Sequence, residues 1–163
     1  MEGALAETAY ACDILGASGM KVATNMGGIY LGNPLFDTVM EEWNRRQALV
    51  IIHPCRARKR PENVITGVSG MFASMRMMET VDVRAEFEKL YFDVAGDPEP
   101  VQLKMLRMVA ADDHIVYGSD FPHSPAKVII AKKKHFDTNT DYDDIREKIY
   151  ADNAIKLLGK EKE

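Results

Sequence analysis

Cysteine is scarce in this chain. Among its 163 residues there are two cysteines, Cys12 and Cys55, and they do not form a Cys-x-x-Cys pair. This scarcity excludes a disulfide framework and a cysteine-based zinc knuckle. The sequence also lacks a charged segment followed by an apolar stretch, which marks a secretory signal. A run of about 18 apolar residues, which a membrane-spanning helix needs, is absent too. We therefore expect a cytoplasmic protein without a membrane partner.

The chain also has no excess of positive charge. The chain has 21 Lys and Arg against 25 Asp and Glu, a net charge of −4, and its pI is about 5.6. Domains that bind nucleic acid are usually basic, so nucleic acid is not expected as a partner. One basic cluster is present at residues 56–60, RARKR. This cluster is either a solvated loop or a site that attracts an anionic substrate.

Apolar residues make up 46% of the sequence, which is sufficient for one domain with its own core. No internal repeat, low-complexity tract or linker divides the chain, so we expect a single domain over residues 1–163. Four apolar runs predict strands: 20–24, 48–53, 90–95 and 115–118. Helical spacing and capping residues predict helices around them: 4–15, 33–43, 98–111, 125–134 and 141–158. This alternation favours an α/β fold with parallel strands and covering helices.

Capping residues define several of these helix ends. Asn33 is suited to the N-cap position and Pro34 to the first helical position. Gly16 and Gly159 are expected to end the first and last helices. Between residues 61 and 88 the pattern weakens, and the methionines there are expected to fill the core. With about four strands, the sheet is too small to close an eight-stranded barrel.

Two of the predicted strands end in residues that can take part in chemistry. The run ALVII leads directly into His53, and the segment 114–125, HIVYGSDFPHSP, stops at Gly118-Ser119-Asp120. Active sites of α/β barrels are built at the carboxyl ends of parallel strands, and a histidine with an aspartate provides two ligands of a mononuclear metal site. The alternatives are that His53 hydrogen-bonds a neighbour and that Asp120 caps the turn before Pro122.

Further side chains near these strand ends are candidates for substrate binding: Asn25, Phe121 and His123. The competing interpretations are a glycine turn for Asn25 and a solvated loop for His123. Asp93, within LYFDVA, is either a buried acid near the site or a carboxylate satisfied by the backbone or an arginine. The remaining histidines are expected to lie outside the site: His114 and His135.

Several motifs together resemble one enzyme family. They are GNPLF at 32–36, EEWNRR at 41–46, VIIHP at 50–54, YFDVAG at 91–96 and HIVYGSDFPHSP at 114–125. In order and spacing they resemble the amidohydrolase-related metal enzymes (amidohydrolase 2) over nearly the whole chain. Within that superfamily the chain is most similar to decarboxylases of aromatic carboxylic acids, the aminocarboxymuconate-semialdehyde, resorcylate and methylsalicylate group.

The resemblance implies a fold, a cofactor and a substrate class. Members fold as a (β/α)₈ barrel and hold a divalent metal, usually zinc or manganese. By position in the motifs, His53 corresponds to the histidine ligand on the fifth strand and Asp120 to the aspartate on the eighth, so Asp120 is also the catalytic candidate. For this chain the implied architecture is a partial (β/α)₈ barrel of about four parallel strands with covering helices. The implied substrate is a small aromatic carboxylate.

The chain departs from the family pattern at the remaining site positions. It has four histidines, and no two form the His-x-His pair of the family's first strand. It also begins at about the point where the family has completed its first strands. Between Gly67 and Met71 the family carries a helix, a strand and the catalytic histidine, and here residues 68–70 bridge that gap. We therefore expect the C-terminal part of a barrel with an internal deletion, a degraded active site and metal that is substoichiometric or lost.

Three functions compete on this sequence. The first is a metal-dependent decarboxylase or hydrolase of aromatic carboxylic acids. The second is a non-catalytic remnant that folds as a homo-oligomer, because an incomplete barrel leaves strand edges and apolar faces to be covered. The third is a small-molecule binding module that reuses the pocket at the strand ends. Metal content and a decarboxylation assay separate the first function from the other two.

Overall fold

The structure is a computed structural model that describes residues 1–55, 83–95 and 100–159. The chain divides into two compact units, Met1–Met78 and Glu79–Glu163. The basic cluster at 56–60, the methionines of 71–78 and the proposed bridge at 68–70 lie outside the described residues. Among the helices of the described ranges, none is long and apolar enough to cross a bilayer.

The first unit begins with helix α1, Glu2–Ala9, which continues as a π-helical turn, Tyr10–Ile14. Gly16 follows with a φ of 66° and ends the helix as predicted, since this left-handed conformation suits glycine. The unit then contains these elements: β1 Gly19–Ala23, β2 Asn25–Met26, β3 Ile29–Tyr30, a 3₁₀ turn Pro34–Phe36, α2 Asp37–Arg45 and β4 Leu49–His53.

Strands β1 and β4 form a parallel pair, in register from Gly19 opposite Leu49 to Ala23 opposite His53. Both strands lie within one residue of their predicted positions. Strands β2 and β3 pair antiparallel across Gly27 and Gly28, which both have positive φ values, 64° and 94°. The expected loop is therefore a short hairpin, because a two-residue turn of this kind needs positive φ at both central residues.

Helix α2 is fixed by its cap and by its apolar face. The side chain of Asn33 accepts a hydrogen bond from the backbone N–H of Leu35 at 3.0 Å, with Pro34 following, which confirms the predicted cap. Val39 and Trp43 are buried on this helix. The indole N–H of Trp43 donates to the buried Thr8 hydroxyl at 2.9 Å, and this bond joins α2 to α1.

The second unit has more helix than strand among its described residues. Its elements are α3 Val83–Phe87, β5 Phe92–Asp93, α4 Pro100–Leu106, a 3₁₀ turn Asp112–His114, β6 Ile115–Val116, α5 Ala126–Thr138, a 3₁₀ turn Thr140–Tyr142, a π-helical turn Lys148–Asp152 and α6 Asn153–Leu157. Their buried apolar side chains form one core: Val94, Leu103, Ala110, Ile115, Phe136, Tyr142, Ile145 and Ile149.

Strands β5 and β6 form a second parallel pair, with Phe92 opposite Ile115 and Asp93 opposite Val116. Both are shorter than predicted. Beyond the ladder, the N–H of Tyr117 donates to the Ile149 carbonyl at 2.8 Å, so the π-helical turn covers the end of β6. The parallel strands and flanking helices expected from the sequence are thus confirmed in each unit, while their assembly into a partial barrel stays a prediction.

Candidate functional site

His53 lies where the sequence predicts, at the carboxyl end of β4. Its side chain is exposed, and its carbonyl accepts a hydrogen bond from the N–H of Thr24 at 3.0 Å. The parallel register sets His53 opposite Ala23, so the segments that follow β1 and β4 leave the sheet at the same edge. This edge is formed by Thr24 and Asn25 on one side and by His53 to Cys55 on the other.

A polar cluster that sequence reasoning did not identify holds this edge together. The amide of Asn25 donates to the Cys55 sulfur at 3.1 Å and to the Cys55 carbonyl at 3.4 Å. The hydroxyl of Thr24 lies 3.5 Å from the same sulfur and accepts from the Cys55 N–H at 3.1 Å. The hydrogen bond with the Thr24 side chain lowers the pKa of the Cys55 thiol. The available signal was the position of Cys55, two residues beyond a strand-end histidine.

Asn25 is buried, and its side-chain amide forms hydrogen bonds with two segments, the β2–β3 turn and the residues that follow β4. Besides its bonds to Cys55, its side-chain oxygen accepts from the Gly28 N–H at 3.3 Å. The residue therefore fastens the β2–β3 hairpin to the end of β4. A substrate contact by Asn25, expected from its position, stays a prediction.

Asp120 lies in a turn four residues beyond β6. It has a φ of 60°, in the left-handed region, and its carbonyl accepts from the Ser124 N–H at 2.8 Å. Its carboxylate accepts from the Ser124 hydroxyl at 2.9 Å. Asp120 thus holds the 120–124 turn, as the alternative interpretation of this residue expects.

The other candidates of the second unit are either exposed or held by local contacts. Phe121 is 69% exposed, and its N–H donates to the Ser119 hydroxyl at 3.3 Å. His123 is exposed too. The carboxylate of Asp93 accepts from the Ala95 N–H at 2.8 Å, so it is satisfied by the backbone. His114 stacks on the ring of Tyr91 with centroids 4.2 Å apart, in keeping with its expected structural position.

The donor set does not fit a metal centre within the part of the chain that the structure describes. No group of three or more His, Cys, Asp or Glu side chains converges in those residues, and a catalytic zinc usually has three protein ligands. All four histidines belong to the described ranges. His53 belongs to the first unit and Asp120 to the second.

What the two strand ends offer chemically is therefore acid, base and hydrogen-bonding groups. The edge of the first unit presents the exposed side chains of His53 and Cys55. The edge of the second unit presents the carboxylate of Asp120, bonded to Ser124. These groups can bind polar atoms of a small molecule, and each can move a proton at its own edge.

A sequence profile of the amidohydrolase family matches residues 1–160. Among curated proteins, the chain is 27% identical to the decarboxylase yanB of Aspergillus niger, over 95% of this chain and 58% of that protein. It is 28% identical to the 6-methylsalicylic acid decarboxylase acuB of Aspergillus aculeatus, over 78% of this chain and 55% of that protein.

A solved structure shows the same relationship in three dimensions. The fold matches the crystal structure of an amidohydrolase II with a TM-score of 0.79 and 26% identity, over 96% of this chain and 66% of that one. The chain thus spans between half and two thirds of the length of these relatives. Because the family profile covers almost all of its residues, the chain belongs to the amidohydrolase family.

Proposed function

We propose that the chain is built on the scaffold of a decarboxylase of small aromatic carboxylic acids, and that its metal and proton-transfer site is incomplete. The observation that carries this proposal is the placement of His53 and Asp120. By resemblance they correspond to two metal-ligand positions of the family motifs. His53 is the last residue of β4, and Asp120 lies four residues beyond β6. Relatives named decarboxylases support the substrate class, a small aromatic carboxylate.

The proposal includes one amidohydrolase-related domain over residues 1–163, with an internal deletion relative to full-length members. The alignment with yanB supports the deletion, because it extends over 214 residues while this chain has 163. The relative therefore carries residues inside the aligned region that this chain does not have. In the proposed architecture, the parallel pairs β1–β4 and β5–β6 are pieces of a partial (β/α)₈ barrel.

Decarboxylation of an aromatic acid replaces a carbon–carbon bond with a carbon–hydrogen bond, so a proton must reach the ring carbon as CO₂ leaves. Members of the superfamily commonly bind a divalent metal that orients the carboxylate. In this chain Asp120 is the acid–base candidate, and its hydrogen bond with Ser124 fixes the direction of its carboxylate. Asn25, Phe121 and His123 are the proposed substrate contacts.

Metal analysis and a turnover assay test this proposal together. Purified protein should carry substoichiometric zinc or manganese by mass spectrometry. Release of CO₂ from 6-methylsalicylate should be very low or undetectable, because three protein ligands are usual for catalytic zinc and two are recognised here. His135→Ala, at an exposed histidine of α5, is the control for His53→Ala. Stoichiometric metal that His53→Ala abolishes and His135→Ala retains, together with clear decarboxylation, would contradict the incomplete site.

A second candidate function is a non-catalytic homo-oligomer. It is favoured by β4, where the successive residues Ile51 and Ile52 are 50% and 55% exposed. Parallel strands are normally buried on both faces, so these isoleucines are suited to a covering partner. In this proposal, the strand-end residues have structural roles and the chain does not turn over aromatic acids.

A further inference from the structure

The first unit contains an apolar cavity that is separate from the candidate site residues. Its volume is about 240 Å³, and it lies between α1, β1 and α2. Neither His53 nor Asn25 lines it. Most of the lining is aliphatic, aromatic or methionine side chain, including Val22, Val39 and Met40. Two charged residues that also line it, Glu7 and Lys21, are exposed, so solvent reaches their side chains.

One buried residue with a polar side chain, Thr8, is part of this lining. It is 2% exposed. Its hydroxyl oxygen accepts the indole N–H of Trp43, which lines the cavity as well. A threonine hydroxyl can also donate one hydrogen bond, and among the described residues Thr8 makes no other side-chain hydrogen bond. The wall of the cavity therefore includes a residue whose hydroxyl donor is not taken up by any described residue.

We infer that this cavity is a binding site for a neutral, monocyclic aromatic molecule that carries one oxygen acceptor, of which phenol is the simplest case. The volume fits the ring, because apolar cavities of roughly 150 Å³ accept benzene. The largely apolar lining favours a neutral ring, because a buried charge costs far more to desolvate. The oxygen satisfies the Thr8 donor. This inference is independent of the proposed decarboxylase chemistry.

Trp43 is the single tryptophan of the chain, so it is a unique reporter at the cavity wall. Phenol added to ¹⁵N-labelled protein should move the one indole N–H resonance in proton–nitrogen NMR spectra, with saturation on the order of 1 mM or below. Benzoate, which has the same ring with a charge, should produce no saturable shift over the same range. Equal binding of benzoate, or an indole resonance that phenol leaves in place, would overturn the inference.

Two variants on one helix make the test specific to the cavity. Ala4→Phe places a ring where Ala4 lines the cavity, and it should weaken phenol binding by at least about tenfold. Ala6→Phe adds the same ring to α1 at an exposed position outside the lining, and it should change binding less than about twofold. Far-ultraviolet circular dichroism is used to check that both variants are folded. If Ala4→Leu, which adds a smaller side chain, and Ala4→Phe are folded and both bind phenol as tightly as the parent, the cavity is not the site.

Discussion

The hydrogen bond between Trp43 and Thr8 is buried, and so its loss should be costly. Thr8→Val keeps the shape of the side chain but leaves the indole N–H without an acceptor, for which we expect a loss of about 1–3 kcal/mol in the free energy of unfolding. Urea unfolding followed by Trp43 fluorescence measures it. Thr38→Val, at an exposed position of α2, is the matched control and should change stability by less than about 0.5 kcal/mol. Equal effects of the two substitutions would show that the bond contributes nothing specific.

Glu42 is held ionised by two arginines, and this makes the stability of the first unit dependent on pH. Hydrogen bonds from Arg45 and Arg46 lower its pKa from 4.5 to about 2. A carboxyl group whose pKa is depressed on folding stabilises the native state fully above its unfolded pKa, and the contribution is lost as the pH falls through the folded value. The thermal midpoint of the parent should therefore exceed that of Glu42→Gln above pH 4.5, with the difference shrinking as the pH falls toward 2.

The matched control for this pH effect is Glu41→Gln, which removes the neighbouring exposed carboxylate of α2. Calorimetric scans of the parent, Glu42→Gln and Glu41→Gln compare their thermal midpoints. The scans run from about pH 2 to about pH 7, because carboxyl groups titrate within this range. A difference between parent and Glu42→Gln that stays constant across this range would refute the proposed linkage.

At the residue scale, position along a strand was predictable from sequence, whereas hydrogen-bond partners distant in the chain were not. His53 follows an apolar run, so its location at a strand end could be inferred from the pattern alone, whereas β6 ends four residues before Asp120. The partners of Asn25 depend on the parallel register that brings residue 55 beside residue 25, and no local pattern encodes that long-range contact. The bond between Asp120 and Ser124 is local, and the turn chemistry of Asp before proline did indicate it.

At the scale of elements, the parallel pairing of β1 and β4 depends on one close approach. A Cβ atom at Gly19 would lie 2.8 Å from the Cβ of Leu49 and would overlap its carbonyl oxygen. Gly19→Ala should therefore separate the strands at this end and destabilise the fold by about 1–3 kcal/mol. Gly3→Ala is the matched control, because a Cβ there meets nothing within 4 Å and alanine favours helix α1 by about 0.5–1 kcal/mol. Chemical denaturation of the two variants should give shifts of opposite sign, and a neutral Gly19→Ala would remove the steric argument.

The elements that sequence reasoning placed less well have identifiable causes. The run 90–95 predicted a six-residue strand, but β5 comprises only Phe92 and Asp93. Beyond Asp93 the N–H of Val94 still donates to the Val116 carbonyl at 3.0 Å, and the Asp93 side chain accepts from the Ala95 N–H. The β2–β3 hairpin was signalled by Gly27-Gly28, a pair that supports the positive φ values such turns require. The hairpin turn could therefore have been predicted from the glycine pair, where only a loop was expected.

The closing helix shows a different kind of limit. Apolar spacing predicted one helix over 141–158, and the structure has a 3₁₀ turn, a π-helical turn and α6 within about that range. A π-helical turn changes the hydrogen-bond spacing at a few residues, and here the Ile149 carbonyl accepts from Tyr117 instead of acting only within its helix. Periodicity averages over many residues, so it does not detect such a local change.

At the scale of the molecule, family motifs were more informative than composition. Composition argued against nucleic-acid partners and the alternation of strand and helix patterns indicated the fold class, while the motifs around His53 and Asp120 indicated the amidohydrolase family that the comparisons confirm. Sequence alone does not determine how many ligands converge in space. The described residues contain no group of three metal-binding side chains, which is why family membership and turnover are separate questions for this chain.

Assembly is the remaining question at this scale, and β4 gives the reason to expect an oligomer. Ile51 and Ile52 are exposed although parallel strands are normally covered. Light scattering coupled to size exclusion should give a mass of at least twice the 18.3 kDa of one chain. Replacing both isoleucines with lysine should yield a monomer, because charge at a strand edge opposes pairing. Ile130→Lys, at a 67% exposed isoleucine of α5, is the control and should leave the oligomer intact. A parent protein that elutes as an 18.3 kDa monomer at micromolar concentration would contradict the prediction.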